Sequence, residues 1–379
     1  MPRRRRVKEK SSSTKKKSSF FKILFYIVLT LVILYLMYFF VIVFSVKTKD
    51  ITTEFSSSGY ILSERVDSLK KTLIILEKGN GEQRRITDVY VYLTNPDKKF
   101  EIVIYLPAHI YYTGLEEKFG NEIAVSSFRY AGDFLEKGRG IEYAIWQINQ
   151  LLGFKSDKYI FFSSEALEAI NFDYEDSNLE NIRNLNSHLG FFHMFRYASS
   201  LAKLDEKIYS NIPFYDIKLE IQNAGYGRSK YIRKIINLGG DDFLVEGSLV
   251  TGDKIKVLNT AEYDKVFRDL FEKVLDRGLE NERVRVEVYN GSELTGVASS
   301  FGRKIVNTCC DVVRYGNAPN SEEKTKVYVS NMEKFSNAYR VVSDVIPIEF
   351  ETVEGRPDFM TTGDIVVVLG KDIKSMYSF

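Results

Sequence analysis

Cysteine and histidine are scarce in this 379-residue chain, which contains two cysteines and three histidines. The cysteines, Cys309 and Cys310, are adjacent, so the spaced cysteines of a disulfide-stapled scaffold are missing. No CxxC, HExxH or mixed Cys/His cluster provides the spacing of a structural zinc site. His109, His188 and His193 are not accompanied by a GxSxG motif, which argues against a hydrolase with a nucleophile elbow.

The adjacent cysteines are not expected to form a bond with each other. Neighbouring side chains on a strand point to opposite faces, so a bridge between them would need strained geometry. We therefore expect Cys309 and Cys310 to be small buried side chains in a strand. The chain also lacks a P-loop and a GxGxxG fingerprint, so neither common nucleotide-binding motif is present.

Positive charge is concentrated at the amino terminus. Residues 1–22 contain ten lysines and arginines and one acid, Glu9, in a chain whose formal net charge is +2. The remaining residues therefore sum to −7. Binding to nucleic acid depends on neutralising phosphates, so we expect no nucleic acid partner.

One long apolar run follows the basic residues. Residues 23–46 carry no charged side chain and span roughly 36 Å as a helix, enough to cross a bilayer. We expect an uncleaved signal-anchor, since the run exceeds the usual length of a signal peptide core and no A-x-A-like site follows. The positive-inside rule places the tail of residues 1–22 in the cytoplasm and the later domains outside, in a bacterial-type envelope.

About 330 residues follow the anchor, more than one hydrophobic core normally holds, so two domains are expected. The first shows alternating strand and helix patterns, which predict a layered α/β/α domain. Its predicted strands are 72–76, 88–93, 100–106 and 159–162, its predicted helices are 141–152, 165–170 (capped by Ser164) and 190–206, and residues 213–260 are expected to be rich in strands. The expected divisions are a tether at 47–69, a first domain at 70–272, a charged linker at 273–283 and a second domain at 284–373.

The second domain is predicted to be a small α/β unit. Strands are expected at 284–289, 311–315, 325–329 and 364–369, with helices at 296–307 and 332–345. Asn290-Gly291 and Gly316-Asn317 suit turns, and Gly296 and Ala298 would let a helix pack close to the sheet.

This second domain resembles the LytR C-terminal domain. The resemblance rests on residues spread over about 90 positions: Val286 to Gly291 (VEVYNG), Gly296 to Ala298, Val312 to Ala318, Thr325 to Val327, and Asp364 to Asp372. We interpret Asn290, Gly291, Gly296, Gly316, Asn317, Asp364 and Gly370 as residues that maintain the fold. The family implies an accessory role in binding the envelope or another protein.

The LytR C-terminal domain often follows a LytR-CpsA-Psr domain, and residues 70–275 resemble a divergent one. The matching features are the strand at 72–76, Ile86 to Val89, Asn95-Pro96, the strand ending at Pro107, Ala124 to Gly132, and the helix ending at Phe154. The resemblance implies transfer of a glycopolymer from a polyprenyl pyrophosphate to the cell wall. In that family, acids bind Mg²⁺ or Mn²⁺ and arginines hold the pyrophosphate.

Several family positions are occupied by other residues here. Asp88 stands at the place of a metal-associated acid, and Arg84 and Arg85 just before it are candidates to bind a phosphate. The family's Gly-x-Asp falls on Glu77-Lys78-Gly79, and its Pro-Arg-Asp falls on Pro107-Ala108-His109. A later Asp-x-x-Arg-x-x-Arg corresponds to Gly190, His193 and Arg196.

Further candidates exist beside these positions, each with an ordinary alternative. Arg129 could contribute to an anion pocket or form a surface ion pair, and Glu77 could replace a lost acid or belong to a solvated loop. His109 and His193 could supply partial positive charge. Asp88 could also cap a loop.

Three hypotheses about function follow. In the first, the chain is an anchored, catalytically inactive relative that binds envelope glycan, a lipid-linked precursor, peptidoglycan or a partner protein. The alternative is an active metal-dependent phosphotransferase with a rearranged site. The third is an assembly factor without a ligand. Because loss of one charge-stabilising donor typically costs about 10²–10³-fold in rate, the loss of two arginines and two acids favours the first.

Overall fold

The computed structural model describes residues 13–48, 61–63, 69–113, 122–174, 176–190 and 207–377, together with Thr53 and Phe55. Most of the predicted tether, His193, Arg196 and nearly all of the helix predicted at 190–206 lie outside the described residues.

The predicted anchor lies within one helix, α1 (Ser13–Thr48). Within it, Phe20–Phe44 is long and apolar enough to cross a membrane, close to the predicted 23–46. Its side chains are exposed around the helix, and they show no polar face. Phe39 and Ile42 near its end are exceptions, because they are buried against the folded domain.

The first unit is built on a six-stranded sheet. Its strand order is β7-β6-β1-β2-β3-β8, where β1, β3, β6 and β8 run parallel and β2 and β7 run against them. A smaller sheet has the order β5-β4-β10-β9. The strands are β1 (Lys70–Lys78), β2 (Arg85–Asn95), β3 (Phe100–Pro107), β4 (Tyr111–Thr113), β5 (Glu122–Ala124), β6 (Lys158–Phe162), β7 (Ile208–Ser210), β8 (Ile232–Asn237), β9 (Leu244–Ser248) and β10 (Lys254–Leu258).

Helices cover both faces of the large sheet. Among the described residues, the helices of this unit are α2 (Phe128–Leu135), α3 (Gly140–Leu152), α4 (Ser164–Ala169), α5 (Asn181–His188), α6 (Phe214–Tyr226) and α7 (Thr260–Phe271). On one face, which we call face A, odd-numbered β1 residues such as Leu73 and Ile75 pack with α2, α3 and α7. On the other, face B, Ile74 and Leu76 pack with α4, α5, α6 and the end of α1. The continuous apolar runs of the central strands follow from this double burial, and the predicted layered α/β/α class is confirmed.

The predicted linker at 273–283 contains a short helix, α8 (Arg277–Glu282). Two local predictions about the first unit were wrong. Residues 214–226 form a helix rather than strands. The helix after β6 is capped by Ser163, not Ser164: the Ser163 side chain accepts a hydrogen bond from the Ala166 N–H at 3.3 Å. The predicted end of α3 is confirmed, since Gly153 adopts a φ of 76° there.

The second unit is a five-stranded sheet with two helices on it. The strands are β11 (Arg285–Asn290), β12 (Asp311–Asn317), β13 (Lys326–Val329), β14 (Glu351–Glu354) and β15 (Ile365–Leu369), in the order β12-β11-β15-β13-β14, with α9 (Val297–Val306) and α10 (Ser336–Val345). The prediction missed β14, an exposed edge strand with little apolar signal, and a closing 3₁₀ helix at Lys371–Tyr377.

Cys309 and Cys310 are buried, as predicted, but the predictions that they lie on a strand and are not bonded to each other were wrong. Cys309 and Cys310 form a disulfide with each other in the turn between α9 and β12. Side chains of neighbouring residues point to opposite faces only on a strand, and neither cysteine lies on one.

The two units share a polar contact centred on Arg303 of α9. Its guanidinium pairs with Asp264 of α7 at 2.6 Å and donates to the carbonyls of Gln150 and Leu151 at 2.9 and 2.8 Å. These carbonyls lie at the end of α3, where helix C-terminal oxygens lack intrahelical partners. Arg303 therefore joins the second unit to a helix end of the first.

Candidate functional site

The candidate site lies where β1 and β2 end their pairing. The register of the two strands shifts there: Leu76 is opposite Asp88, but Glu77 is opposite Ile86. Thr87 is thus an extra residue in β2, and its hydroxyl donates to the Leu76 carbonyl at 3.1 Å. Asp88, opposite Leu76, lies on face B with Tyr105, whereas Glu77, the next residue of β1, lies on face A.

Glu77 forms a buried ion pair with Arg129. The Glu77 side chain is 0% exposed, and the Arg129 side chain, on α2, is 14% exposed and donates to Glu77 Oε2. The guanidinium also lies over the Phe161 ring, 5.5 Å from its centroid, and 3.7 Å from Asp133. Burial raises the pKa of Glu77, although the positive charge of Arg129 opposes that rise.

A second ion pair joins Arg84 to Glu165 at the same edge. Arg84 follows a short 3₁₀ turn (Gly81–Gln83), and Glu165 lies in the first turn of α4, directly after β6. Both side chains are about one-third exposed, at 34% and 33%. The charges of Arg84 and Glu165 also act on the Glu77 carboxyl, so the two pairs form one cluster. We call Glu77, Arg84, Arg129 and Glu165 the edge cluster.

The edge cluster retains two unsatisfied atoms. Within the described part of the chain, Glu77 Oε1 and Arg84 Nε are buried and have no hydrogen-bond partner. A buried polar atom without a partner is costly, so these two atoms mark the place where the cluster could accept another group.

Asp88 is not part of the edge cluster. Its side chain is fully buried on face B and accepts hydrogen bonds from the hydroxyls of Tyr105 and Ser177, each at 2.9 Å. The Asn178 N–H and the Asn181 side-chain amide add contacts at 3.1 and 3.4 Å. Burial raises the pKa of Asp88, while these hydrogen bonds oppose the rise. Asp88 therefore fastens residues 177–181 to the sheet, which is the loop-capping alternative.

These surroundings do not fit a metal ligand. The groups around Asp88 are hydrogen-bond donors, and a divalent cation needs several oxygen acceptors at one point. Among the residues that the structure describes, no group of three His, Cys, Asp or Glu side chains is arranged to hold a metal ion.

The other candidate cations lie apart from the edge cluster. Arg85 is exposed at the start of β2, and His109 is exposed in the loop after β3. His188, at the end of α5, contacts the Asn184 carbonyl at 2.9 Å. Arg196 and His193 lie outside the described residues.

Of the predicted site residues, Arg84, Arg129 and Glu77 lie together in the edge cluster. Glu165, the fourth member, was not predicted from the sequence. Glu165 could have been found from the alternation of strands and helices, which favours parallel strands. Because β6 is parallel to β1, the residues that follow the two strands meet at one edge of the sheet. The surface ion pair proposed as the alternative for Arg129 is also not what is found, because its partner is fully buried.

The motif residues of the second unit have structural roles. The Asn290 side chain accepts from the Ser292 N–H at 2.9 Å and donates to the Leu294 carbonyl at 2.7 Å, which shapes the turn after β11. Asp364 pairs with Arg285 at 3.1 Å across the start of two neighbouring strands. These contacts agree with the interpretation that Asn290 and Asp364 maintain the fold.

The motif glycines differ from one another in what they do. Gly296 has a φ of 77°, and a Cβ there would meet nothing within 4 Å, so it serves the backbone turn and not the predicted close packing. Gly291 does not have a positive φ, but a Cβ would come 3.1 Å from the Leu369 carbonyl oxygen. Gly316 and Asn317 lie in β12 and not in the predicted turn. A Cβ on Gly370 would lie 2.6 Å from the Thr325 nitrogen.

Residues 283–372 match the family described as LytR cell envelope-related transcriptional attenuator, which confirms the resemblance of the second unit. No curated protein matches the chain in sequence.

Solved structures are similar at low identity. Bacillus subtilis TagV (13% identity, TM-score 0.36) covers 55% of this chain and 98% of its own. Bacillus subtilis TagT (10%, TM-score 0.34) covers 59% and 94%, and gbs0355 from Streptococcus agalactiae (11%, TM-score 0.36) covers 55% and 88%. Likenesses this weak do not assign an activity to this chain.

Proposed function

We propose that this chain, with its LytR C-terminal domain at residues 283–372, is a single-pass membrane protein of the cell envelope that binds a glycan or partner without transferring a group. Residues 70–272 act as a divergent LytR-CpsA-Psr domain, and residues 284–373 as its accessory domain. The ligand is an envelope glycan, a lipid-linked precursor, peptidoglycan or an envelope protein.

The observation that carries this proposal is the pairing inside the edge cluster. Each of the two arginines of the edge cluster is neutralised by a carboxylate of the chain itself: Arg129 by Glu77 and Arg84 by Glu165. A pyrophosphate would have to take Arg129 from Glu77 and leave a fully buried carboxylate without its partner, which typically costs about 3–5 kcal/mol. Asp88, the candidate metal ligand, is held on the other face by four donors.

The location follows from α1. We propose that Phe20–Phe44 spans the membrane as an uncleaved signal-anchor, with the basic tail in the cytoplasm and both later domains outside. Protease added to intact spheroplasts should then remove the domains after Thr48 and leave a short fragment that contains the tail. Protection of the whole chain until the cells are lysed would contradict this orientation.

One observation favours the alternative, an active phosphotransferase. Two arginines and two carboxylates do meet at one edge of the sheet, and Glu77 Oε1 and Arg84 Nε have no partner in the described structure. In that case Mg²⁺ or Mn²⁺ would be required for turnover, and replacing Arg129 would abolish it. The donor set around Asp88 does not fit this requirement.

The binding proposal can be tested with purified cell walls. The full chain in detergent micelles is mixed with walls that carry their anionic glycopolymer, and with walls stripped of it by acid. Sedimentation with either preparation supports a glycan or peptidoglycan ligand, and the difference between the two identifies which one. Absence of binding to both preparations, to lipid-linked precursor and to envelope proteins would leave the assembly-factor hypothesis and overturn the proposal.

A further inference from the structure

Helix α6 carries a stripe of exposed residues along one side. The stripe consists of Tyr215, Leu219, Gln222 and Tyr226, which recur at helical spacing. Tyr215 is 56% exposed, Leu219 42% and Tyr226 58%, and none of the four residues carries a charge. Single exposed apolar residues are common on folded proteins, so the place of this stripe in the molecule decides what it can contact.

The stripe lies beside the membrane helix. The end of α1 packs against α6 on face B, where Phe39 and Ile42 of α1 join the same apolar cluster as Phe214 of α6. Phe39 and Ile42 are 1% and 7% exposed, although both lie within the apolar segment Phe20–Phe44. The first unit therefore contacts the apolar segment itself and not only the chain that follows it.

The length of the apolar segment sets the depth of this contact. Its 25 residues span about 37 Å as a helix, whereas the hydrocarbon core of a bilayer is about 30 Å thick. The excess of about 7 Å is the length of about five helical residues, which is the separation of Phe39 from Phe44. These last turns fit the headgroup layer, and the part of α6 that packs beside them lies at the same level.

The chain that follows α1 returns to the start of α6. The Thr53 N–H donates to the Ser210 carbonyl at 2.7 Å, and Ser210 ends β7 four residues before α6 begins. Thr53 is five residues after the end of α1, and five residues of chain reach at most about 18 Å. The end of α1 is thus held near the first turns of α6, which carry Tyr215 and Leu219, by two separate contacts.

The chemistry of this surface suits the boundary between lipid and water. A tyrosine ring is apolar and carries a hydroxyl, which is why tyrosine is enriched at that boundary. Lys218 is half-buried on one flank of the stripe, so its amine can reach a lipid phosphate while its stem covers apolar surface. Of the two acids of α6, Asp216 lies on the opposite flank, and Glu220 is buried and pairs with Lys158 at 2.6 Å.

We propose that Tyr215 and Leu219 of α6 insert into the interfacial layer of the bilayer that α1 crosses. This inference rests on the membrane span proposed above for Phe20–Phe44 and adds a second contact with the same membrane. The second contact holds the first unit in one orientation on the bilayer and prevents it from pivoting about the end of α1.

The experiment measures contact with lipid by tryptophan quenching. The full chain is reconstituted into vesicles of phosphatidylcholine and phosphatidylglycerol, with the phosphatidylcholine brominated near the headgroup end of its acyl chains, because bromine quenches tryptophan emission on contact. Tyr215→Trp and Leu219→Trp each introduce one reporter. The wild type supplies the baseline, since Trp146 is its only tryptophan and is 3% exposed.

The matched controls are Tyr130→Trp and Phe134→Trp on α2. These two side chains are 60% and 75% exposed, one helical turn apart, and α2 lies on face A, across the sheet from α6. Tryptophan at 215 and at 219 should lose about half or more of its emission in the brominated vesicles, as expected for an aromatic ring at headgroup level. Tryptophan at 130 and at 134 should lose none. Quenching at 215 and 219 no stronger than at 130 and 134 would overturn the proposal, and Leu219→Trp alone decides if Tyr215→Trp fails to fold.

A further variant separates this inference from the membrane span on which it rests. Val32→Trp places a reporter at the middle of Phe20–Phe44 and is measured with lipid brominated deep in the acyl chains. Quenching at 32 without quenching at 215 and 219 overturns the α6 contact and leaves the span in place. Absence of quenching at 32 overturns both.

Discussion

Arg129 donates a hydrogen bond to the carboxylate of Glu77, which is wholly buried at the end of β1. Each residue was a candidate to bind a ligand, and each instead has the other as its partner. A buried charge that already has a counter-ion gains little from a second one and would lose the first. This pairing is the reason for proposing that the edge cluster does not hold a pyrophosphate.

The strength of this pair can be measured with a double-mutant cycle. Glu77→Gln and Arg129→Met should each lower the free energy of unfolding by about 3 kcal/mol, because each leaves one buried charge unpaired. The double variant should lose clearly less than the sum. Urea denaturation of the full chain in detergent gives all four values.

The matched control for this cycle is the exposed pair Glu262 and Lys265 on α7, 3.7 Å apart. Its coupling should stay below about 1 kcal/mol, as is usual for surface ion pairs. A coupling between Glu77 and Arg129 no larger than that of the control would show that Arg129 is available to a ligand.

Asp88 should act on stability and not on metal binding. Asp88→Ala leaves the hydroxyls of Tyr105 and Ser177 and the Asn178 N–H without their acceptor, so we expect a loss on the order of 3 kcal/mol. Asp173→Ala, at an exposed position, should change stability by less than about 0.5 kcal/mol. A wild-type melting temperature that rises with Mg²⁺, and does not rise in Asp88→Asn, would contradict this assignment.

The motif glycines of the second unit should differ in their tolerance of a side chain. Gly370→Ala places a Cβ 2.6 Å from the Thr325 nitrogen, so the backbone must shift at a cost on the order of 2 kcal/mol. Gly316→Ala meets no atom within 4 Å and has no positive φ, so its stability should stay within about 0.5 kcal/mol of the wild type. Thermal unfolding of the two variants distinguishes them, and equal losses would refute the packing argument.

Lys304 should make stability depend on pH. Its pKa is about 7 in the folded chain and about 10.4 in an unfolded one, so between these values the unfolded state binds more protons. The free energy of unfolding should therefore rise with pH in this window, by up to ~1.4 kcal/mol per unit. Lys304→Met should lose this rise and be more stable than the wild type below pH 7. Parallel pH profiles for the two proteins would show that Lys304 keeps an ordinary pKa.

The strands and the anchor were predictable because their signals are local. Short sequence patterns predict the apolar helix, the buried strand around Ile74 and the end of α3 at Gly153. Helix α6 was missed although its sequence carries a local signal: Phe214, Ile217, Ile221 and Ala224 recur at helical spacing, and Gly227 ends the helix. The disulfide was missed because the turn that holds Cys309 and Cys310 is set by the end of α9.

The candidate site was predictable only in part. Arg84, Arg129 and Glu77 were candidates from the sequence, but their partners depend on which residues the sheet brings to one edge. Asp88 lies opposite Leu76 and therefore on the other face of the sheet from Glu77, and this becomes visible only once the pairing of β1 with β2 is known. Glu165 lies about 80 positions from Arg84, so its role becomes visible only once β6 is placed beside β1.

The most direct test of the central claim is phosphate release from a polyprenyl pyrophosphate that carries a glycan, by the full chain in detergent, with and without Mg²⁺ or Mn²⁺. A LytR-CpsA-Psr enzyme of known activity serves as the positive control under the same conditions. The internal pairing of Arg129 with Glu77 and of Arg84 with Glu165 predicts no metal-dependent turnover. Turnover that requires the metal and disappears in Arg129→Met would contradict the account and make the edge cluster a catalytic centre.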